Sequence, residues 1–210
     1  MIFEVLPVGP LAANCFVVGC EDTREGIVVD PGAETGKILA VVKRHGLQVK
    51  TVINTHGHFD HVGGNGGLLD ATGATLYIHE RDERYLSRAV ETAAMYGIPA
   101  TNSPPPDGYL EDGMELLFGG CTLRVLHTPG HTPGGCCLYF AEQGIVITGD
   151  TLFADSVGRT DLPGGSHETL IGAIREKLLV LPEGTTVYPG HGPSTTIGRE
   201  KRHNPYLGGS

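Results

Sequence analysis

The segment VKTVINTHGHFDHVGGN (49–65) constrains the fold more than any other stretch of the chain. A β-type apolar run delivers the backbone into His56, His58, Asp60 and His61, and glycines follow at once. His56, His58 and Asp60 are spaced i, i+2, i+4, so they share a face if the strand continues. Asp60 and His61 are neighbours and should point apart. One ion would find it hard to collect all four side chains, whereas two ions side by side could share them. A solvated polar loop has no need of so many imidazoles. Imidazole with carboxylate is the ligand chemistry of zinc, iron or manganese.

The remaining ligands must come from distant segments, and the candidates share one setting, a strand followed by a sharp glycine turn. LHTPGHTPGG (126–135) offers His131, VITGDTLF (146–153) offers Asp150, and VYPGHGP (187–193) offers His191. Glycine lets the backbone turn abruptly and come close to a metal. His45, His79, His127, His167 and His203 stand alone and read as ordinary part-buried histidines.

Between these points the chain alternates strands and helices. MIFEVLPVG, NCFVVGC and GIVVDPG read as short strands. Residues 35–46 read as a helix with Ile38, Val41 and Val42 on one face and Gly46 as its stop. Residues 49–54 and 75–79 are strands, with a helix over 62–73 between them and another over 80–97. The prolines of 99–108 make that segment a loop, placed as a flap or lid. MELLF, CTLRVLHT, GGCCLYF and GIVITGD are strands, and 165–184 is a helix capped by Ser166. A last strand over 185–192 and a short helix over 194–202 complete the pattern. Strand clusters with helices between and after them imply two sheets covered by helices. Thr55-His56 and Thr128-Pro129-Gly130-His131 hint at an internal duplication.

The 210 residues suit one domain over 1–210, and 40% hydrophobic with 19% charged residues excludes a disordered chain. A net charge of −9 without a lysine/arginine block excludes a nucleic-acid or membrane-surface ligand. No apolar run reaches the roughly 18 residues of a membrane span. The N-terminus reads as a strand and turn, not a signal peptide. Cys15, Cys20, Cys121, Cys136 and Cys137 include no CxxC pair, and reduced buried thiols of a cytoplasmic protein are expected.

HGHFDH (56–61), then GH at 130–131, GD at 149–150 and GH at 190–191 form an ordered pattern that resembles the metallo-β-lactamase superfamily. The resemblance runs from VVDPG (28–32) to the C-terminus. It implies an α+β fold, a four-layer αββα sandwich with a dinuclear site at one edge of its sheets. His56, His58, His131 and Asp150 would hold the first metal. Asp60, His61, His191 and the bridging Asp150 would hold the second, with Asp30 behind them orienting a ligand histidine. The cofactors implied are two divalent ions, zinc first, with iron or manganese able to take its place.

Within the superfamily, GDTLFADSVGRTDLPGG (149–165) and REKRHNPYL (199–207) look most like the glyoxalase II group, in the short bacterial form without a C-terminal helical domain. This implies a hydroxyacylglutathione hydrolase acting on a small thioester such as S-D-lactoylglutathione. A water activated between the metals would attack the carbonyl, with Asp60 and Asp150 as the catalytic carboxylates. An acidic residue at 150 and the N-terminal pattern argue against an antibiotic-degrading branch. The usual lysine and tyrosine after the bridging aspartate are missing, as are basic residues after the asparagine-proline. Arg159, or Arg199, Lys201 and Arg202, are candidates for a substitute anion site. Persulfide dioxygenases share the GRTD loop and would place one iron on His56, His131 and Asp150. The same ligand pattern would also serve a lactonase, or a storage or structural metal site.

Overall fold

Neighbouring residues of the apolar runs face opposite sides of their sheets, and that alternation builds the layers. In a computed structural model describing residues 1–208, the first sheet takes β1 (Ile2–Val8), β2 (Ala13–Gly19), β3 (Glu25–Val29), β4 (Gln48–Ile53), β5 (Thr75–Ile78) and β6 (Gly108–Tyr109), in that order. Later in the chain come β7 (Glu115–Phe118), β8 (Cys121–His127), β9 (Cys136–Phe140), β10 (Ile145–Gly149), the small hairpin of β11 (Leu152–Phe153) and β12 (Ser156–Val157), β13 (Thr186–Pro189) and β14 (Thr195–Thr196). The second sheet runs β14-β13-β10-β9-β8-β7.

Phe16, Val18, Ile27, Val29 and Ile53 face Leu123, Leu138, Phe140 and Ile147 between the sheets. Cys15, Val17, Val28 and Val52 face outward onto the helices of the first half. These are α1 (Thr35–Arg44), α2 (Phe59–Val62), α3 (Asn65–Thr72), α4 (Glu83–Leu86) and α5 (Ala89–Ala94). Cys137 and Val146 face outward on the other side, onto α6 (His167–Ala173), its π-helical continuation Ile174–Leu178, and α7 (Ile197–His203). Four layers result, helices–sheet–sheet–helices, as the resemblance implies. Cys136 and Cys137 thus enter different layers, and all five cysteines are buried and unbridged. Among the described residues no helix is long and apolar enough to cross a membrane.

Each sheet starts as an antiparallel meander and then makes a parallel crossover, β3–α1–β4 in one and β10–α6–β13 in the other. In that correspondence Asp30 and Asp150 each follow the first crossover strand, and His56 and His191 lie just past the second. The pairing of Thr55-His56 with Thr128–His131 is therefore displaced: His131 follows β8, which has no crossover.

Helix boundaries differ from the sequence expectation where tertiary contacts intervene. The 62–73 helix is two pieces: α2 starts earlier, at Phe59, and Gly63–Gly64 separates it from α3. The 80–97 helix breaks into a 3₁₀ turn (Glu80–Asp82), α4 and α5, with Arg88 at φ −113° between the last two. Regular structure over 165–184 ends at Leu178, after the expected Ser166 cap, which accepts from Thr169 N–H. Thr195 and Thr196 pair with β13, so α7 starts only at Ile197.

Candidate metal centre

Strand β4 stops at Ile53, and the His56–Gly57–His58 turn is irregular rather than extended. His58 is then the N-cap of α2, which carries Asp60 and His61 on its first turn. Strand alternation therefore does not separate the ligands. A turn followed by a helix does, and the division comes out as expected. His56, His58 and His131 bring donor atoms within 4.8 Å of one another, as do Asp60, His61 and His191.

Four of the five rings are held by their far nitrogen. His131 Nδ1 donates to the Arg159 carbonyl at 2.8 Å, and His191 Nδ1 to the Leu11 carbonyl at 3.1 Å. His61 Nδ1 lies 3.1 Å from Asp30 Oδ2. His56 Nδ1 lies 3.1 Å from Thr55 Oγ1, whose proton goes to Asp30 Oδ2 at 2.6 Å. These four rings therefore turn Nε2 inward, while His58 offers Nδ1, 3.0 Å from His131 Nε2. Fixing the tautomer through the second nitrogen is how proteins orient metal-ligating histidines.

Asp150 stands between the two sets. Its Oδ1 is 3.6 Å from His61 Nε2, and its Oδ2 is 3.6 Å from His131 Nε2 and 3.7 Å from His191 Nε2. A Cβ on Gly190 would lie 2.2 Å from Asp150 Oδ1, so only glycine lets β13 end there. Asp30 also falls within a third grouping with His56 and His61. Its oxygens are already used by Thr55 N–H, Thr55 Oγ1 and His61, so it orients rather than ligates.

The donors fit divalent cations. His56 Nε2 and Asp150 Oδ1 are buried without a hydrogen-bond partner, and both belong to the cluster. Nitrogens around a tetrahedral zinc would sit about 3.3 Å apart, close to the 3.0 Å of His58–His131 and the 3.3 Å of His61–His191. Burial and the other imidazoles keep His56 well below its ordinary pKa and bring His58 to about 3, so both stay neutral. Burial also opposes charge on His61, but Asp60, Asp150 and Asp30 outweigh it and lift the ring to about 10. Burial pushes the Asp60 carboxyl up, and His61 with His191 overcomes it and holds it below the usual range. The second set thus attracts positive charge by itself.

The two sheets meet around this centre. Asn14, at the start of β2, donates through Nδ2 to the Pro189 and Gly192 carbonyls at 2.9 and 3.0 Å. Asn54 Nδ2 donates to the His61 carbonyl at 3.1 Å and is paired with Asn65. Neither asparagine stands out in the sequence, because each acts through a partner remote from it or through backbone.

The four basic candidates all carry carboxylate partners. Arg159 forms a two-pronged pair with Asp161 at 2.8 and 2.7 Å, beside the His131 loop. Arg199 grips Asp155 through two contacts of 2.7 Å and also meets buried Glu200. Arg202 bonds Glu183 at 2.8 Å, and Lys201 lies 4.0 Å from it. Arg199 and Glu200 thereby tie α7 to the β11–β12 hairpin after Asp150. Of the 99–108 segment, Pro99, Ala100 and Thr101 line a cleft of about 220 Å³ with Leu11, Phe59 and Asp60, while Ser103 and Asp107 bond back to the Leu86 and Leu76 carbonyls.

A family model described as metallo-beta-lactamase superfamily matches residues 8–191. A probable metallo-hydrolase, YqgX, from Bacillus subtilis (strain 168) is 39% identical, over 100% of this chain and 99% of that one. A hydroxyacylglutathione hydrolase, GloC, from Haemophilus influenzae is 36% identical over 99% and 98%. Among solved structures, the B3 metallo-beta-lactamase BLEG-1 superposes with a TM-score of 0.91 at 38% identity, covering 98% and 99%. TTHA1623 in a di-iron-bound form gives 0.89 at 41%, covering 97% and 100%. ETHE1 from Myxococcus xanthus gives 0.81 at 30%, covering 98% of this chain and 84% of that one.

Proposed function

Because the chain belongs to the metallo-beta-lactamase superfamily and is a metal-dependent hydrolase, we propose that it hydrolyses small hydroxyacyl thioesters, S-D-lactoylglutathione among them, on a dinuclear centre. The observation that carries this is Asp150, whose two oxygens face the two ligand sets from between them. His56, His58, His131 and Asp150 would hold one ion. Asp60, His61, His191 and Asp150 would hold the other. Two divalent cations, when bound there, supply Lewis acidity and a water acidic enough to react near neutral pH.

The chain's residues do the rest. Arg159 carbonyl, Leu11 carbonyl, Thr55 and Asp30 keep the imidazoles turned to the centre. Asp60, negative and next to His191 at 3.2 Å, orients the reacting water. Arg159, at the rim of the His131 loop, is the side chain placed to meet an anionic thiol half by exchanging its Asp161 partner. A thiolate leaves without a strong general acid, which suits a centre built from ligands. Zinc is the first choice of metal and iron the second, given the di-iron relative. The buried, unbridged cysteines support a reducing, cytoplasmic setting.

The test is loss of thioester absorbance from S-D-lactoylglutathione by protein of measured metal content, with Asp150→Ala as control. Metal-dependent loss supports the reading, and none from fully metallated protein overturns it. Two counter-assays then follow: oxygen uptake with a persulfide, because of the GRTD loop, and β-lactam cleavage, because of the likeness to BLEG-1.

A further inference from the structure

Asp82 has no place in the ligand pattern, yet it lies completely buried beside it. It ends the 3₁₀ turn that interrupts the expected 80–97 helix. Its Oδ2 accepts from Gly57 N–H at 3.0 Å, within the His56–Gly57–His58 turn. Its Oδ1 accepts from Gly134 N–H at 2.6 Å, three residues past His131. One carboxylate therefore joins the two loops that bring His56, His58 and His131 together. The fit is close: a Cβ on Gly134 would come 2.8 Å from Asp82 Cγ, and one on Gly57 would come 2.9 Å from the Asp82 carbonyl oxygen.

The charge has no partner of its own. Among the described residues no lysine, arginine or histidine nitrogen lies within 4.0 Å of the carboxylate. Both oxygens serve as acceptors of backbone N–H, the pattern of an ionised group. Burial opposes that ionisation and raises the carboxyl above its ordinary pKa, with the Thr132 hydroxyl first, then the Gly134 and Gly57 N–H groups and His131, working against it. A buried anion is stable when a cation compensates it.

Resting on the dinuclear reading above, we propose that Asp82 is a positioning residue for the His56/His58/His131 set: it fixes the spacing of the two loops and supplies a buried countercharge to the ion they hold. Asp30 plays the corresponding part behind His61, through a direct bond to the ring. Asp82 acts instead through two backbone amides and never touches a ligand side chain.

The experiment is a competitive titration of the chelator-stripped full chain with Zn²⁺, repeated with Co²⁺ for its visible spectrum. The wild type should take up two ions; uptake of fewer would undo the dinuclear reading itself, independently of Asp82. Asp82→Asn keeps the shape, removes the charge and leaves one of the two N–H groups without an acceptor. It should weaken one ion ten- to a hundredfold and leave the other within about threefold, the range seen for loss of residues behind metal ligands. His191→Gln should leave the Asp82→Asn effect in place, and His58→Gln should abolish it, as a double-mutant cycle requires of coupled groups. Circular dichroism and melting of each apo variant separate a folding defect from a binding one. If the asparagine variant does not fold, Asp82→Ser, which vacates volume and keeps one acceptor, repeats the cycle. Unchanged affinity for both ions, or equal weakening of both in every background, overturns the proposal.

Discussion

The Asp30 carboxylate lies 3.1 Å from His61 Nδ1, and both side chains are completely buried. Asp30 holds this position at φ +51°, a left-handed conformation that asparagine also tolerates. Asp30→Asn therefore tests the charge and not the backbone. The expected result is a ten- to hundredfold loss of affinity for the ion held by Asp60, His61 and His191, with a smaller loss at the other ion through Thr55 and His56. Zinc titration with a chromophoric chelator measures it, and unchanged affinity would remove Asp30 from the site.

Asp150→Ala should take turnover down by at least a thousandfold while circular dichroism stays that of the native fold. Metal analysis should show fewer than two ions per chain. Full turnover in a folded variant would remove the shared role of this carboxylate.

Metal removal should lower the melting temperature. Inward-facing Nε2 and carboxylate atoms lose their partner, and His56 Nε2 and Asp150 Oδ1 have no other. An ion present at about a hundred times its Kd adds roughly 2.7 kcal/mol to stability. For a chain of this size that is about 5–10 °C. Calorimetry before and after chelation decides, and no shift would mean the cluster does not bind metal in the folded state.

Arg159 and Arg199 should separate cleanly. Arg199 is part-exposed and tied to Asp155 and Glu200, so Arg199→Ala should leave KM unaltered. Arg159→Ala should raise KM for an anionic thioester severalfold and leave a neutral thioester unaffected. Equal behaviour of both substrates would show that Arg159 does not contact the thiol half.

Cys20 should be the most reactive thiol. Gly120 N–H foremost, then Thr23 and Asp22, bring it down to about 6. Burial raises Cys15 and Cys136 and takes Cys137 to about 11. Cys20 is only 5% exposed, but this shift favours its thiolate near neutral pH, so iodoacetamide is expected to label it ahead of the other four, with a rate that falls as pH drops through 6. Peptide mass spectrometry reads this, and even labelling across the five cysteines would contradict it.

The grouped donors were legible because metal chemistry restricts residue type, and His131, Asp150 and His191 follow strand ends marked by glycine. The layers were legible because β2, β3 and β9 alternate between two apolar faces. Asp82 was not legible. Its role depends on a 3₁₀ turn meeting Gly134, a contact between residues 52 apart in sequence. The continuous helix read over 80–97 failed for the same reason, since the break puts Asp82 against the two amides. Arg199 looked like a free cation because Asp155, its partner, is 44 residues away.

The separations between ligands carry a consequence for the unfolded chain. His58 and His131 are 73 positions apart, and His61 and His191 are 130. Ions gripping both pairs act as two long, reversible cross-links. A covalent link closing a loop of about 100 residues removes some 4–5 kcal/mol of denatured-state entropy in the chain-entropy model. Bound metals would then shrink the population of opened chain, and proteolysis, which samples that population, would register their loss without any substrate being needed.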